Sequence, residues 1–165
     1  MASVKLPLSG AVEELLNRKA AEELSASHTY LAASFWFKNR DFDGISSYLL
    51  KEADEERQHG LKIFDYIQKR GGVAVAAEIP AVNTAQWKSA LDVFKTLLQL
   101  EVQVGHTLQN MSTKATENND QMTVSFLHEF HLLQADEIDN MSTLVSKVQA
   151  YEALPGLLYH LDKEL

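Results

Sequence analysis

A chain of 165 residues has the length of one domain and can bury a core without disulfide or metal staples. It contains no cysteine, which excludes thiolate metal sites, cysteine nucleophiles and disulfide frameworks. Its 23 Asp and Glu outweigh 15 Lys and Arg, for a formal net charge of -8, a balance that disfavours nucleic acid and anionic membranes and suits cationic ligands.

The longest uncharged stretch near the amino terminus, Leu6 to Val12, is too short and too interrupted by Pro7, Ser9 and Gly10 for a signal-peptide core or a membrane span. The chain reads as soluble, either cytoplasmic or, if a transit peptide has been removed, plastid. Turn signals are sparse: Ser9-Gly10, Asn39 to Gly44, Gly71-Gly72, Pro80, Glu117 to Asp120 and Pro155-Gly156. They delimit long segments over 10–39, 44–70, 87–117 and 120–149, and a short one over 155–163.

The first segment carries Val12, Leu15, Leu16, Ala20, Glu23, Leu24, Ser27, Leu31 and Ser34 along one helical face, with Ser9 as its amino-terminal cap. The second carries Tyr48, Leu49, Ala53, Glu56, Gly60, Ile63, Phe64 and Ile67. The third carries Leu91, Phe94, Leu97, Leu98, Glu101, Val104 and Leu108. The fourth carries Val124, Phe126, Leu127, Phe130, Leu133, Ile138, Met141, Leu144 and Val148. All four are too long for strands. Short turns make the first pair and the second pair antiparallel neighbours, while the fifteen residues between Gly71 and Trp87 let helices two and three run parallel. The expected fold is all-α, a single domain over 1–165: a four-helix bundle with one long crossover. In the short segment, Leu154, Leu157, Leu158 and Leu161 form a stripe for burial, with Pro155 in the first helical turn.

Carboxylates interrupt these apolar stripes, although a buried ionised carboxylate needs a partner or a metal. Glu23 falls between Ala20 and Ser27, Glu101 within Leu97 to Leu108, and Glu52 one turn before Glu56. Glu56 and His59, spaced i, i+3, point the same way, as do Gln134 and Glu137. One Glu from each of two helices plus a Glu-x-x-His from another makes most of a carboxylate-bridged di-metal site. Hard oxygen donors hold Fe(II) and hold Fe(III) better, and imidazole adds a neutral donor. Any one of these carboxylates alone reads as a boundary residue reaching water; their coincidence on four helices reads as a metal centre. Tyr30, two turns beyond Glu23, is either a core tyrosine or a phenol beside the metals. His28, His106, His128, His131 and His160 have no such spacing to a carboxylate and read as surface or packing residues, His128 and His131 least clearly.

Four stretches together resemble the ferritin family along essentially the whole chain: AEELSASHTYLAASFWF (Ala21 to Phe37), EADEERQHG (Glu52 to Gly60) followed by RGG, LQLEVQV (Leu98 to Val104) and PGLLYHLDKEL (Pro155 to Leu165). The resemblance implies a ferritin-like bundle with a short fifth helix, and a ferroxidase that oxidises Fe(II) with O2 or peroxide and stores ferric oxide in a shell of 24 identical subunits. It implies Glu23, Glu56 and His59 as ligands of the first iron, with Glu56 bridging, and Glu101 as ligand of the second. It also implies that Gln134 orients a ligand or water and that Tyr30 stands next to the centre. Glu137 matches the extra glutamate of bacterial and algal members and, with Glu52 and Glu55, a third iron site. Gly156, His160 and Glu164 would face the fourfold axis of the shell. Gln134-x-x-Glu137 stands where symmetric di-iron enzymes repeat Glu-x-x-His, so unequal iron positions are expected. The competing readings are a soluble di-iron oxidase or peroxidase without mineral storage, and a non-enzymatic bundle.

Overall fold

A computed structural model describes residues 6–165. Its helices are α1 (Gly10–Lys38), α2 (Asp43–Lys69), α3 (Ala90–Glu117), α4 (Gln121–Glu152) and α5 (Leu158–Glu164), with a 3-10 turn at Thr84–Gln86. The described residues contain no strand, and no described helix is long and apolar enough to cross a membrane. The expected all-α bundle with a short fifth helix is the observed fold.

Local chemistry sets the helix ends. Ser9 Oγ accepts from Val12 N at 3.2 Å and starts α1. Asp41 and Asn119 take left-handed φ values of 63° and 54° in the two tight turns, a conformation short polar side chains tolerate. α3 starts three residues later than the apolar pattern suggests. Trp87 closes the 3-10 turn, and Ser89 and Asp92 then form a capping box, Ser89 Oγ accepting from Asp92 N at 3.1 Å.

The crossover is held against α1. Glu13 Oε1 accepts from Val73 N at 3.0 Å, Asn17 Oδ1 from Val75 N at 2.8 Å, and Asn17 Nδ2 donates to Val73 O at 2.9 Å. One asparagine thus satisfies both a donor and an acceptor of a segment without regular structure of its own.

The short helix departs from expectation. Pro155 lies in the turn before α5, not in its first helical turn, because Gly156 at φ 84° reverses the chain and helix begins only at Leu158. Leu154 therefore falls outside the helix and is exposed, and Leu161 alone of the four stripe leucines is fully buried. α5 docks on the start of α2: Asp162 Oδ1 accepts from Ile45 N at 2.8 Å, and Tyr159 stacks on Phe42 with ring centroids 4.7 Å apart. Leu133, read as part of the α4 stripe, is 43% exposed; the wet side of α4 begins there.

The core has two parts. One cluster is built around Tyr30, Phe37, Leu49, Phe94, Leu97 and Met141, the other around Val12, Leu16, Ile63, Leu108, Leu127 and Phe130. Every long helix places a buried polar residue between the two clusters: Glu23 on α1, Glu56 on α2, Glu101 on α3 and Gln134 on α4.

Candidate metal centre

The polar layer brings seven of the nine expected site residues together. Glu23 Oε2 lies 3.7 Å and Glu56 Oε2 3.6 Å from His59 Nδ1, and Glu137 Oε1 lies 4.0 Å from the same nitrogen. Glu101 is held from both sides: Tyr30 Oη donates to Oε1 at 2.5 Å, and Gln134 Nε2 donates to Oε2 at 2.8 Å and to the Glu101 carbonyl at 2.9 Å. Two sets of ligand atoms are close enough to share an ion, Glu23 with Glu56 and His59, and Glu56 with Glu101 and Glu137; Glu56 belongs to both. Ser27 Oγ donates to the Ala53 carbonyl at 2.6 Å, which fixes α1 against α2 one turn from both Glu23 and Glu56.

Glu52 and Glu55 stand apart from both sets. They line a cavity of about 440 Å³ beside the layer, with Tyr48, Asp136, Glu137 and Asn140. Glu137 thus faces both ways, towards Glu56 and Glu101 and into the cavity. Its carboxylate is grouped with the second set rather than with Glu52 and Glu55.

So many acids in a dry layer cannot all ionise. Burial pushes Glu56 up to about 10, aided by its neighbour Glu23, although His59 opposes the shift. Burial and Glu101 push Glu137 up to about 8, and burial and Glu55 push Glu52 up to about 7. Glu101 is raised by burial, against the hydrogen bonds from Tyr30 and Gln134. At Glu23 burial is outweighed by hydrogen bonds from Glu56, His59 and Lys19, and its carboxyl falls to about 2. At His59 burial is outweighed by Glu23 and Glu56, which raise it to about 10. Burial and the Glu101 anion hold the Tyr30 phenol well above its ordinary value, so it stays a donor. The layer is a set of oxygen and imidazole donors partly neutralised by protons, which metal cations would displace.

Sequence reasoning missed Lys19. It is fully buried and forms an ion pair with Glu23 one turn further along α1. Its signal was its position: it continues the stripe from Leu16 to Glu23. Asp136 and Asn140, at the cavity, were also missed; their spacing places them one turn apart on the wet side of α4. Of the other histidines, His28, His106, His128 and His160 are exposed, and His131 Nε2 is bonded to Ser112 Oγ at 2.6 Å; none joins the two ligand sets.

A four-helix bundle with one long crossover and a buried layer of carboxylates plus one histidine defines a class of metal-handling bundles. A family described as Ferritin-like domain matches residues 13–150, and the chain belongs to this family, among its non-haem ferritins. It is 34% identical over 158 residues to a bacterial non-heme ferritin of Staphylococcus haemolyticus, spanning 96% of this chain and 95% of that protein. A bacterial non-heme ferritin of Staphylococcus saprophyticus is 33% identical over 152 residues, spanning 92% and 90%. Its structure is similar to that of apo-ferritin from Pseudo-nitzschia multiseries, with a TM-score of 0.90 at 37% identity over 93% of this chain and 98% of that one. Membership of this family ties the chain to iron storage and Fe(II) oxidation in general.

Proposed function

We propose that this chain detoxifies and stores iron: each subunit oxidises Fe(II) with dioxygen or peroxide at a di-iron centre, and the product is deposited as ferric oxide inside a shell of 24 copies. The observation that carries this reading is the sharing of Glu56 between the two ligand sets, in a layer closed above and below by apolar side chains. In this reading Glu23, Glu56 and His59 hold the first iron and Glu56, Glu101 and Glu137 the second, with Glu56 bridging. Tyr30 and Gln134 hold the Glu101 carboxylate by both oxygens, so that its orientation is set before iron arrives. Two irons at fixed spacing can each give up one electron together, and dioxygen takes both electrons with two protons and leaves as hydrogen peroxide. Glu52, Glu55 and Glu137 form a third iron position at the cavity, on the way from the centre to the mineral. The second position has no histidine, which supports weaker binding there and passage of iron onward.

The test is aerobic addition of Fe(II) to the metal-free protein, following ferric formation against iron per chain. The expected record is a fast phase that breaks at about two or three irons per chain, then slower uptake of many more into a soluble particle. A break at three favours a working third position. Precipitation beyond the break would point to a di-iron oxidase without storage. A fast phase that survives Glu56→Ala would overturn the centre.

A further inference from the structure

Glu23 is the candidate ligand with a cation already on it. Lys19 is fully buried in α1, its ammonium is ion-paired to Glu23 Oε1, and it has no other hydrogen-bond partner among the described residues. The other oxygen, Oε2, is the one that faces His59, at 3.7 Å. The two oxygens of one carboxylate are thus divided between a lysine and the metal position. The charge is not confined to this pair: Lys19 also acts on Glu101, the candidate ligand on α3. A lysine with no access to water is uncommon unless something compensates it, and here the compensating group is the candidate ligand itself.

We propose that Lys19 is a positioning residue of the centre, which holds Glu23 to a single free oxygen and, by its fixed positive charge, keeps the first position from binding divalent cations as tightly as its donor set allows. The inference rests on the reading of Glu23 as a ligand. A charge a few ångströms from a bound dication repels it appreciably even at the effective dielectric of a protein interior. A carboxylate anchored by one oxygen cannot swing to chelate with both. Together these favour a position that receives and gives up iron over one that retains it.

The experiment titrates Co(II), which is not oxidised under these conditions, into the metal-free assembled protein under nitrogen and reads its visible absorption. The native chain is compared with Lys19→Gln, Lys19→Met and Lys19→Arg. Lys19→Gln removes the charge but keeps a donor for Oε1; Lys19→Met removes both; Lys19→Arg keeps both. The first Co(II) is expected to bind at least about tenfold tighter in Lys19→Gln and Lys19→Met, and with native affinity in Lys19→Arg. In Lys19→Met the absorption should also weaken, since a chelating Glu23 raises the coordination number. If Lys19→Gln binds Co(II) no more tightly than the native chain, the proposal fails. A lysine needed only for packing gives that result, with lowered melting temperature and lowered affinity together. Should Lys19→Met fail to fold, the contrast between Lys19→Gln and Lys19→Arg still decides. Glu56→Ala separates the two layers of inference: if it leaves Co(II) binding intact, the metal centre itself is misassigned, whatever the lysine variants do.

Discussion

Burial of Glu56 beside Glu23 and Glu101, in a layer of four carboxylates and one imidazole, drives its carboxyl towards the protonated form. Metal entry must expel that proton and the one on Glu137. Anaerobic addition of Zn(II) to metal-free protein at pH 7 is therefore expected to release about one proton or more per ion, read by pH-stat. The same shifts set the pH dependence of stability. Glu52 and Glu137 titrate near 7 and 8 in the fold against 4.5 unfolded, so the folded chain binds more protons than the unfolded one between these values. Its stability then falls as pH rises through that window. His59, raised to about 10, contributes stability present below its ordinary 6.5 and lost as pH climbs to 10, which adds in the same direction. Glu23 has the opposite sign, but its window lies between about 2 and 4.5. The melting temperature of the metal-free protein should decline from pH 5 to 9, and the decline should shrink when Zn(II) is bound; a flat profile would contradict the protonation pattern. Tyr30→Phe leaves Glu101 Oε1 without its donor in a dry site and should destabilise the metal-free chain by about 2 kcal/mol, measurable by denaturant unfolding. At this scale the site was legible where an acid broke an apolar stripe, as at Glu23, Glu56 and Glu101. Lys19 was not, because a lysine on a helix normally extends its head group to water, and its place in line with Leu16 and Glu23 is outweighed by that habit. Nor does spacing say that Glu137 turns towards Glu56 rather than only towards Glu52 and Glu55; that depends on the rotation of α4 about its axis.

The elements were legible to within a few residues, since apolar periodicity over more than twenty residues leaves little freedom. The misplaced boundaries both come from turn chemistry. The Ser89–Asp92 capping box overrode the apolar Trp87, and Gly156 overrode the helical spacing of the leucines around Pro155. The docking of α5 could not be read at all, as it depends on an approach between residues far apart in sequence. A Cβ on Gly44 would stand 1.7 Å from the backbone oxygen of Asp162, so only glycine lets α5 lie there. Gly44→Ala should push α5 off its seat, with loss of the Asp162 bond to Ile45 and of the burial of Leu161. The expected cost is about 3 kcal/mol, localised to 158–164 by hydrogen exchange, with α1 to α4 intact. The Asn17 clasp on the crossover is exposed, and its removal by Asn17→Ala should loosen 73–75 with a smaller effect on the whole.

At the scale of the whole molecule, the chain leaves large apolar side chains in water: Phe35 on α1, Val73, Val75 and Ile79 on the crossover, and Leu154, Tyr159 and Leu165 around α5. Surfaces of this kind are covered in assemblies more often than left bare, which supports the proposed closed shell. Light scattering is expected to give one species of about 24 chain masses, and Gly44→Ala, by displacing α5, should yield smaller species.

The division of the ligands between two helical hairpins has a consequence for how the chain comes together. Glu23, Glu56 and His59 belong to α1 and α2, whereas Glu101, Gln134 and Glu137 belong to α3 and α4. Each hairpin can close through its own short turn, but the seam between them brings acid against acid. A cation held by Glu56 together with Glu101 would cross-link the two hairpins and, by binding only the folded chain, stabilise it. The cargo would then serve as a clamp on its own container, and empty subunits would open along the seam sooner than loaded ones.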